Sequence, residues 1–121
     1  KRVRPMVMLL LAMGIAPASL ESARKVASIA ELIHTASLLH DDVIDDASTR
    51  RGAPALHVQF SPKTAILTGD YLLAQASLIL ASLRNHDVTR CISQVIADLV
   101  QGEFMQIKPS PQDLKKACGL D

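Results

Sequence analysis

The stretch "KVASIAELIHTASLLHDD", from Lys25 to Asp42, largely determines the predicted fold. Apolar residues recur in it close to the helical period, at Val26, Ile29, Ala30, Ile33 and Leu38 or Leu39. We therefore predict an amphipathic helix that begins after the N-cap residue Ser19 and continues to about Ala47. This helix ends in a block of acidic residues, which a helix packed only for stability does not need.

Turn-forming residues divide the rest of the chain into further helices. We predict helices from Pro5 to about Met13, from Pro62 to about Leu83 and from the cap residue Asp87 to about Gln106, and a short one that starts at Ser110. The segment "STRRGAPALHVQFSP" is predicted to be a loop because of its glycine and prolines. Since no segment alternates with period two, we predict an all-α fold of antiparallel helices, whose function depends on side chains of facing helices.

The composition excludes several classes of protein. A length of 121 residues fits one compact domain or a part of one. The formal net charge of +1 gives no electrostatic case for binding nucleic acid, which needs a clustered basic surface. The two cysteines show no metal-binding or disulfide spacing, so we expect reduced thiols in an intracellular protein. The longest apolar run, Met6 to Ala16, is too short to cross a bilayer, so no transmembrane span is predicted.

The acidic block has the spacing of a metal site. Asp41 and Asp45 are four residues apart and Asp42 and Asp45 are three apart, so a helix places all three on one face. Acids are unfavourable at a helix C-terminus, and these would also repel one another. We predict that they bind Mg²⁺, or Mn²⁺ in its place, because Mg²⁺ takes one or two carboxylates together with phosphate oxygens and water. The alternative is a solvated helix end, which is our interpretation of Asp46.

Basic residues near the acidic block predict a site for phosphate groups. Arg50 and Arg51 follow the acids, and arginine forks bind phosphate with good geometry. The alternative is that they only neutralise the aspartates. His34 precedes Asp41 by seven residues, close to two helical turns, so it is a candidate for the same face. Lys1 and Arg4 could bind a second anion together.

Two other kinds of metal site share parts of this sequence. Glu31 and His34 form a Glu-x-x-His pair, as in di-iron helical bundles, but the chain has no second such pair. His40 and Asp41 form the dipeptide of metal phosphohydrolases of the His-Asp helical class, which need more ligands from other helices. The remaining histidines, His57 and His86, lie in predicted loops or connections, so we favour neither alternative.

Four segments in order resemble the trans-isoprenyl diphosphate synthases, most closely the long-chain polyprenyl diphosphate synthases that make quinone side chains. "HDDVIDDASTRRG" resembles the family's first aspartate-rich motif, DDxxD followed by RRG, and "KRVRP" resembles the end of its GGKxxRP motif. "GDYLLAQAS" and "LVQGEFMQ" resemble two later segments. The resemblance implies the N-terminal portion of the isoprenoid synthase helical bundle, as one partial domain over residues 1–121.

The resemblance implies a reaction and a role for each candidate residue. An allylic diphosphate ionises, and the allylic cation alkylates isopentenyl diphosphate and then loses a proton. Asp41, Asp42 and Asp45 would hold Mg²⁺, with Asp41 and Asp45 as the more direct ligands, and Arg50 would contact the allylic diphosphate. The isopentenyl diphosphate site would consist of Lys1, Arg4, His34 and Arg51. Gln106 would lie near the metal and diphosphate, and Glu103 is a weaker candidate.

The resemblance also implies a product length. In this family, bulky residues about one turn before the first aspartate close the channel for the growing chain. Ala36 and Ser37 occupy these places and are small, so we expect a long product of the hexaprenyl to decaprenyl type, with a shorter geranylgeranyl product as the alternative.

The family's second aspartate-rich motif is not in this sequence. We therefore expect the chain alone to be inactive, and we expect association with further subunits. The rival hypothesis is a non-catalytic subunit that stabilises or regulates a full-length synthase. For a eukaryotic protein the resemblance implies a mitochondrial location.

Overall fold

The computed structural model describes residues 3–15, 20–107 and 118–119. These residues form, in chain order, α1 (Val3–Ile15), α2 (Leu20–Ile44), β1 (Thr49–Arg50), β2 (Ala53–Pro54), α3 (Leu56–Gln59), α4 (Pro62–Ser82) and α5 (His86–Ile107). The all-α prediction is confirmed, since the strands in this part of the chain comprise two residues each. The predicted cap Ser19 and the helix predicted from Ser110 lie outside the described residues. Two compact units are present, residues 1–85 and residues 86–121, and each is described by itself.

The core of the first unit is the contact between α2 and α4. Apart from Asp42, the buried residues of these helices recur every two to seven residues and are mostly small: Ala27, Ile29, Ile33 and Ala36 in α2, and Ala65, Gly69, Ala76 and Leu80 in α4. The ring of His40 lies directly against Gly69. The buried apolar residues of α2 all precede His40 in the chain, whereas Ala76 and Leu80 of α4 follow Gly69. The two helices are therefore antiparallel. α1 packs on α2 as well.

The start of α4 follows its sequence signals. Ser61 is the N-cap, and its hydroxyl accepts a hydrogen bond from the backbone N–H of Thr64 at 3.0 Å. Pro62 occupies the first helical position, where it has no N–H to leave unpaired. The predicted bounds, Pro62 to about Leu83, are confirmed to within one residue.

α4 is also long and apolar enough to cross a membrane, with a mean hydropathy of 1.4 over its best window. Core helices that pack inside a protein meet the same test, and α4 packs against α2 and α3. Its length and composition are therefore weak evidence for a span.

α2 ends three residues earlier than predicted, at Ile44 and not at Ala47. Asp46 adopts a left-handed conformation with φ of 52°. The N–H of Asp46 donates to the carbonyl of Val43 at 3.3 Å, and the N–H of Ala47 donates to the carbonyl of Asp42 at 2.9 Å. This is a Schellman motif with Asp46 in the position usually taken by glycine, and it stops the helix within the acidic block.

The segment predicted to be a loop contains a hairpin and one helical turn. β1 and β2 pair antiparallel, with Thr49 opposite Pro54 and Arg50 opposite Ala53. The two residues between them, Arg51 and Gly52, have φ of 51° and 79°. Positive φ at both positions matches the tight turn that suits the twist of a two-stranded hairpin. The loop prediction for these residues was therefore wrong, and so was the placement of His57 in a loop, since His57 lies in α3.

The second unit contains α5. The helix begins at His86, so Asp87 lies in its first turn and is not its cap. Arg90 donates to the carboxylate of Asp87 at 3.2 Å. The side chains of Val88, Ile92 and Ile96 are half-buried at a spacing of four residues. The predicted end at Gln106 is confirmed to within one residue.

Candidate active site

Asp41 and Asp45 lie at the end of α2, where the helix stops. Asp41 is half-buried, and Asp45 is exposed. Burial raises the pKa of the Asp41 carboxyl, and the negative charges of Asp45 and Asp42 raise it further. The carboxylates are therefore close enough to repel one another, and a cation bound between them would remove that repulsion.

Asp42 is in a different environment from the other two aspartates. Its side chain is only 6% exposed, and it forms a bidentate pair with Arg50. The Arg50 Nε donates to Asp42 Oδ2 at 3.0 Å, and its Nη2 donates to Oδ1. This hydrogen bonding raises the pKa of the Arg50 guanidinium. One alternative is that the arginines only neutralise the aspartates. Arg50 does neutralise Asp42 in this way.

The expected cluster of three metal-binding carboxylates does not assemble. Among the residues the structure describes, no group of three or more His, Cys, Asp or Glu side chains is placed to hold a metal ion. The physical reason is the pairing of Asp42 with Arg50. Asp41 and Asp45 remain, and two carboxylates are a suitable donor set for Mg²⁺, which completes its shell with water and phosphate oxygens. The residues present therefore fit the predicted metal.

The hairpin turn determines where the two arginines lie. Arg50 is the last residue of β1, and Arg51 is the first residue of the turn. A left-handed conformation costs a residue other than glycine about 1 kcal/mol or more. Arg51 occupies such a position and also lines a cavity beside the end of α2, which makes a functional reason for the arginine a hypothesis to test.

A cavity of about 770 Å³ lies beside the end of α2. Its volume is within the range of small-molecule sites. Its lining combines basic, acidic and apolar side chains: Val3, Arg4, Glu31, His34, Thr35, Leu38, Leu39, Asp42, Arg50 and Arg51. The structure thus brings together Arg4, His34, Arg50 and Arg51, four of the predicted substrate-binding residues. Asp42, and not Asp41, is the aspartate of its lining.

The electrostatics of the cavity favour an anion. Burial lowers the pKa of His34, and the positive charge of Arg4 lowers it further; Glu31 partly offsets this effect, and Arg51 and Arg50 add to it. Arg4 and Glu31 form an ion pair at 3.5 Å. Arg51, in contrast, forms no ion pair within 4 Å with any acidic residue that the structure describes. Its charge is available to a ligand.

Two predicted substrate-binding residues are not brought into this site by the described structure. Lys1 lies outside the described residues. Gln106 lies in α5 of the second unit, where its side chain is exposed. Its position near the metal and diphosphate stays a prediction, and the same holds for Glu103.

The two residues predicted to control product length differ in their surroundings. Ala36 is 0% exposed and lies on the buried face of α2. This differs from the expectation of a side chain that faces an open channel, because the face that carries Ile29 and Ile33 packs against neighbouring helices. Ser37 is half-buried, and its hydroxyl donates to the carbonyl of His34 at 2.8 Å.

Several contacts in the site were not predicted from the sequence. Glu31 pairs with Arg4, and His40 contacts α4 through the Ile66 carbonyl and Asp70; among the described residues neither belongs to a group of three or more side chains that could hold a metal ion. His57 is buried, and within the part of the chain that the structure describes neither of its ring nitrogens has a hydrogen-bond partner; its Nε2 lies 3.8 Å from the carboxylate of Asp46. The sequence contains one indication of the His40 contact. Gly69 in "GDYLL" has no side chain and so permits the close approach of another helix.

Comparison with known proteins identifies similar sequences over nearly the whole chain. The family model for polyprenyl synthetase matches residues 1–118. The chain is 54% identical over 108 residues to decaprenyl-diphosphate synthase of Dictyostelium discoideum, covering 89% of this chain and 24% of that protein. It is 50% identical over 102 residues to decaprenyl-diphosphate synthase subunit 1 of Schizosaccharomyces pombe, covering 81% of this chain and 27% of the relative.

A third relative and a solved structure extend the comparison. The mitochondrial hexaprenyl pyrophosphate synthase of Saccharomyces cerevisiae is 51% identical over 90 residues, covering 74% of this chain and 19% of that protein. The crystal structure of polyprenyl synthase from Caulobacter crescentus, complexed with calcium and isoprenyl diphosphate, superposes with a TM-score of 0.82 at 34% identity, covering 91% of this chain and 33% of that one. The chain thus spans between 19% and 27% of the length of these curated relatives.

Proposed function

Because this chain belongs to the polyprenyl synthetase family, we propose that the protein condenses an allylic diphosphate with isopentenyl diphosphate and makes a long-chain polyprenyl diphosphate. The observation that carries the proposal is the arrangement at the end of α2. A cavity lined by Arg4, His34 and Arg51 lies beside the Asp42–Arg50 pair, next to two carboxylates that suit a metal. This arrangement has room for one diphosphate held by cations and one held through a metal.

The allylic substrate binds at Asp41, Asp45 and Arg50. The two carboxylates hold Mg²⁺, which neutralises charge on the departing diphosphate when it is bound. Arg50 contributes a fixed positive charge, because its pair with Asp42 holds the guanidinium in one orientation. Asp42 therefore acts as the support of Arg50. The Caulobacter relative supports this proposal, since its structure is of a complex with a divalent cation and an isoprenyl diphosphate.

Isopentenyl diphosphate binds in the cavity. Arg51, Arg4 and His34 bind its diphosphate, and we include Lys1 in this set from the family resemblance. The apolar side chains of Leu38 and Leu39 contact its hydrocarbon part. A diphosphate brings more negative charge than the cavity's own acids, so the pair of Arg4 and Glu31 can loosen and direct Arg4 at the ligand.

The residues of the site serve the reaction by position and charge. The carbon–oxygen bond of the allylic diphosphate breaks, and its electrons leave with the diphosphate towards Arg50. The double bond of isopentenyl diphosphate, held in the cavity, then attacks the allylic carbon, and the released diphosphate takes up the proton that the new chain loses. Apolar walls exclude water from the cation.

The product is a long chain of the hexaprenyl to decaprenyl type. Ser37, one turn before Asp41, is small and half-buried. The names of the relatives from Dictyostelium, Schizosaccharomyces and Saccharomyces, which are decaprenyl and hexaprenyl synthases, support this length.

We also propose that the protein works in an oligomer, in mitochondria if it is eukaryotic. The Schizosaccharomyces relative is named as a subunit, and the Saccharomyces relative is named as mitochondrial. In the described part of α1, large apolar side chains are exposed: Val3, Met6, Val7, Leu10, Leu11 and Met13. Such a surface is typical of one covered by another part of an assembly.

Incorporation of radiolabelled isopentenyl diphosphate into a prenyl product tests the proposal. The purified full-length protein is incubated with an allylic primer and Mg²⁺, and its Asp41→Asn and Asp46→Asn variants are compared. We expect wild-type turnover, a loss of at least a hundredfold in Asp41→Asn, and unchanged turnover in Asp46→Asn. Asp46 is the matched control because asparagine tolerates its left-handed backbone. Undiminished turnover in Asp41→Asn, or no turnover by any form, would refute the proposal.

A further inference from the structure

The closest approach between α2 and α4 lies beside the acidic block. The ring of His40 fills the space over Gly69 so completely that a Cβ atom on residue 69 would lie 2.4 Å from His40 Nε2. Carbon and nitrogen atoms do not approach to that distance without displacement. Any side chain at residue 69 would therefore push the ring of His40 away from α4.

His40 is also hydrogen-bonded to α4 from this position. Its Nε2 is 3.0 Å from the carbonyl oxygen of Ile66 and 3.3 Å from Asp70 Oδ1. Because a carbonyl oxygen only accepts hydrogen bonds, Nε2 carries the hydrogen and donates it. The carboxylate of Asp70 is also an acceptor and favours the same tautomer. One side chain of α2 is thus fixed to two points on α4.

This contact controls where the end of α2 lies. Asp41 is the next residue after His40, and Asp45 follows one turn later. A helix can slide along or rotate against its neighbour unless a specific contact fixes its register. The other buried residues of this face, such as Ile33 and Ala36, are apolar and give no direction. Asp42 ties this end of α2 to Arg50 of the hairpin, and among the contacts described between α2 and α4 it is His40 that gives the acidic block a directional one.

We propose that His40 is a positioning residue for the diphosphate–metal site, and that Gly69 provides the space that this role needs. The proposal rests on the proposed function, because it concerns the same carboxylates. His40 acts through the Ile66 carbonyl and Asp70, and it does not touch the substrate. Groups that orient metal ligands typically change metal affinity or activity by about tenfold to a hundredfold when they are replaced.

Four variants of the full-length protein test this role. His40→Ala removes the donor, and His40→Gln keeps an N–H donor near the position of Nε2. Gly69→Ala displaces the ring, and the double variant His40→Ala with Gly69→Ala adds the methyl group where no ring remains. Ile33→Val is the matched control, because it weakens the same helix contact seven residues away without changing a hydrogen bond.

The main readout is the affinity for Mn²⁺ in the presence of inorganic diphosphate, measured by electron paramagnetic resonance. The melting temperature of each variant is measured in parallel. We expect His40→Ala and Gly69→Ala to weaken Mn²⁺ binding about tenfold. We expect His40→Gln to retain most of the wild-type affinity for Mn²⁺. In a protein that already carries His40→Ala, Gly69→Ala should weaken Mn²⁺ binding little further. Ile33→Val lowers the melting temperature and leaves Mn²⁺ binding unchanged.

Two results would overturn the inference while the proposed function stands. The first is wild-type Mn²⁺ affinity in both His40→Ala and Gly69→Ala. The second is an equal loss of Mn²⁺ affinity in Ile33→Val, which would mean that any loosening of the contact between α2 and α4 weakens metal binding. If His40→Ala does not fold, the comparison of His40→Gln, Gly69→Ala and wild type decides in the same way. A wild-type protein that neither binds Mn²⁺ with diphosphate nor incorporates isopentenyl diphosphate would overturn the proposed function, and this inference with it.

Discussion

The aspartates of the acidic block share a residue type but differ in surroundings. Asp42 is buried and paired with Arg50, Asp41 is half-buried, and Asp45 is exposed. Asp46 takes a left-handed backbone that ends α2. The spacing of the residues predicted that Asp41, Asp42 and Asp45 share a face, but it could not predict which carboxylate an arginine would pair with. That choice depends on a hairpin whose turn the sequence does not signal.

Replacement of Asp41 should stabilise the metal-free protein. A raised carboxyl pKa means that the unfolded chain loses this proton at lower pH than the folded chain. Folding stability therefore falls as pH rises from the ordinary aspartate pKa through the raised one, and the loss is complete once the pH exceeds the raised pKa. Since Asp41 is partly exposed, screening limits the effect to about 0.5 kcal/mol.

Asp41→Asn should accordingly raise the melting temperature by roughly 3 °C at neutral pH in the presence of a chelator. The gain should disappear when the pH is below the ordinary aspartate pKa. Thermal unfolding followed by circular dichroism across this pH range provides the measurement. A lower melting temperature in the variant at neutral pH would contradict the assigned repulsion.

The pH dependence of isopentenyl diphosphate binding should depend on His34. Burial and Arg4 lower the pKa of His34, so its ring is neutral at neutral pH in the ligand-free protein. A bound diphosphate favours the protonated ring and raises this pKa. The KM for isopentenyl diphosphate should therefore rise as pH increases between the two pKa values, by about tenfold for a shift of one pKa unit.

The comparison with His34→Gln isolates this effect, because titration of the substrate itself is common to both proteins. Steady-state kinetics at constant allylic primer concentration provides the two profiles. Parallel profiles for the wild type and the variant would mean that His34 does not bind the diphosphate.

Replacement of Arg51 should stabilise the fold and weaken the binding of isopentenyl diphosphate. Asparagine adopts a left-handed backbone more readily than arginine, so Arg51→Asn should stabilise the fold by about 0.5 kcal/mol. It should raise the KM for isopentenyl diphosphate at least tenfold, because a charge-assisted hydrogen bond is lost. Arg84 also has a positive φ, of 50°, but it lies outside the cavity.

Arg84→Asn is thus a matched control that should change the melting temperature in the same way and leave KM unchanged. Melting curves and steady-state kinetics of both variants give the comparison. An equal change of KM in the two variants would exclude a specific role for Arg51.

At the scale of helices and strands, the features predicted correctly are those with a local sequence signal, such as a capping residue or an apolar period. The cap at Ser61 and the proline that follows it gave the start of α4, and the apolar period gave α2. The hairpin was missed because Arg51 takes a conformation for which asparagine or glycine is the usual signal. The end of α2 was misplaced because aspartate, and not glycine, is the terminating residue Asp46.

The two small residues of α2 should respond differently to enlargement. Ala36 is fully buried, so Ala36→Phe should overpack the helix contact and destabilise the fold by about 1–3 kcal/mol. Ser37 is only half-buried, so Ser37→Phe should fold and should shorten the prenyl product. Melting temperature and mass spectrometry of the products separate the two effects. An unchanged product length in Ser37→Phe would exclude it as a wall of the channel.

At the scale of the whole molecule, the fold class predicted from the sequence is confirmed, and the roles of the site residues stay predictions. Four of the predicted binding residues line one cavity because α1, α2 and the hairpin meet there. The contact of His40 with α4 joins residues 26 positions apart, and periodicity within one helix carries no information on it. The relation of Gln106 to the aspartates involves the second unit and stays a prediction.

A crystal structure of the full-length protein with Mg²⁺ and an unreactive allylic thiodiphosphate tests the central claim most directly. We predict Mg²⁺ bound by Asp41 and Asp45 together with oxygens of the ligand, and Asp42 still paired with Arg50. A diphosphate bound away from the end of α2, or Mg²⁺ held by Asp42 with Arg50 displaced, would contradict the account.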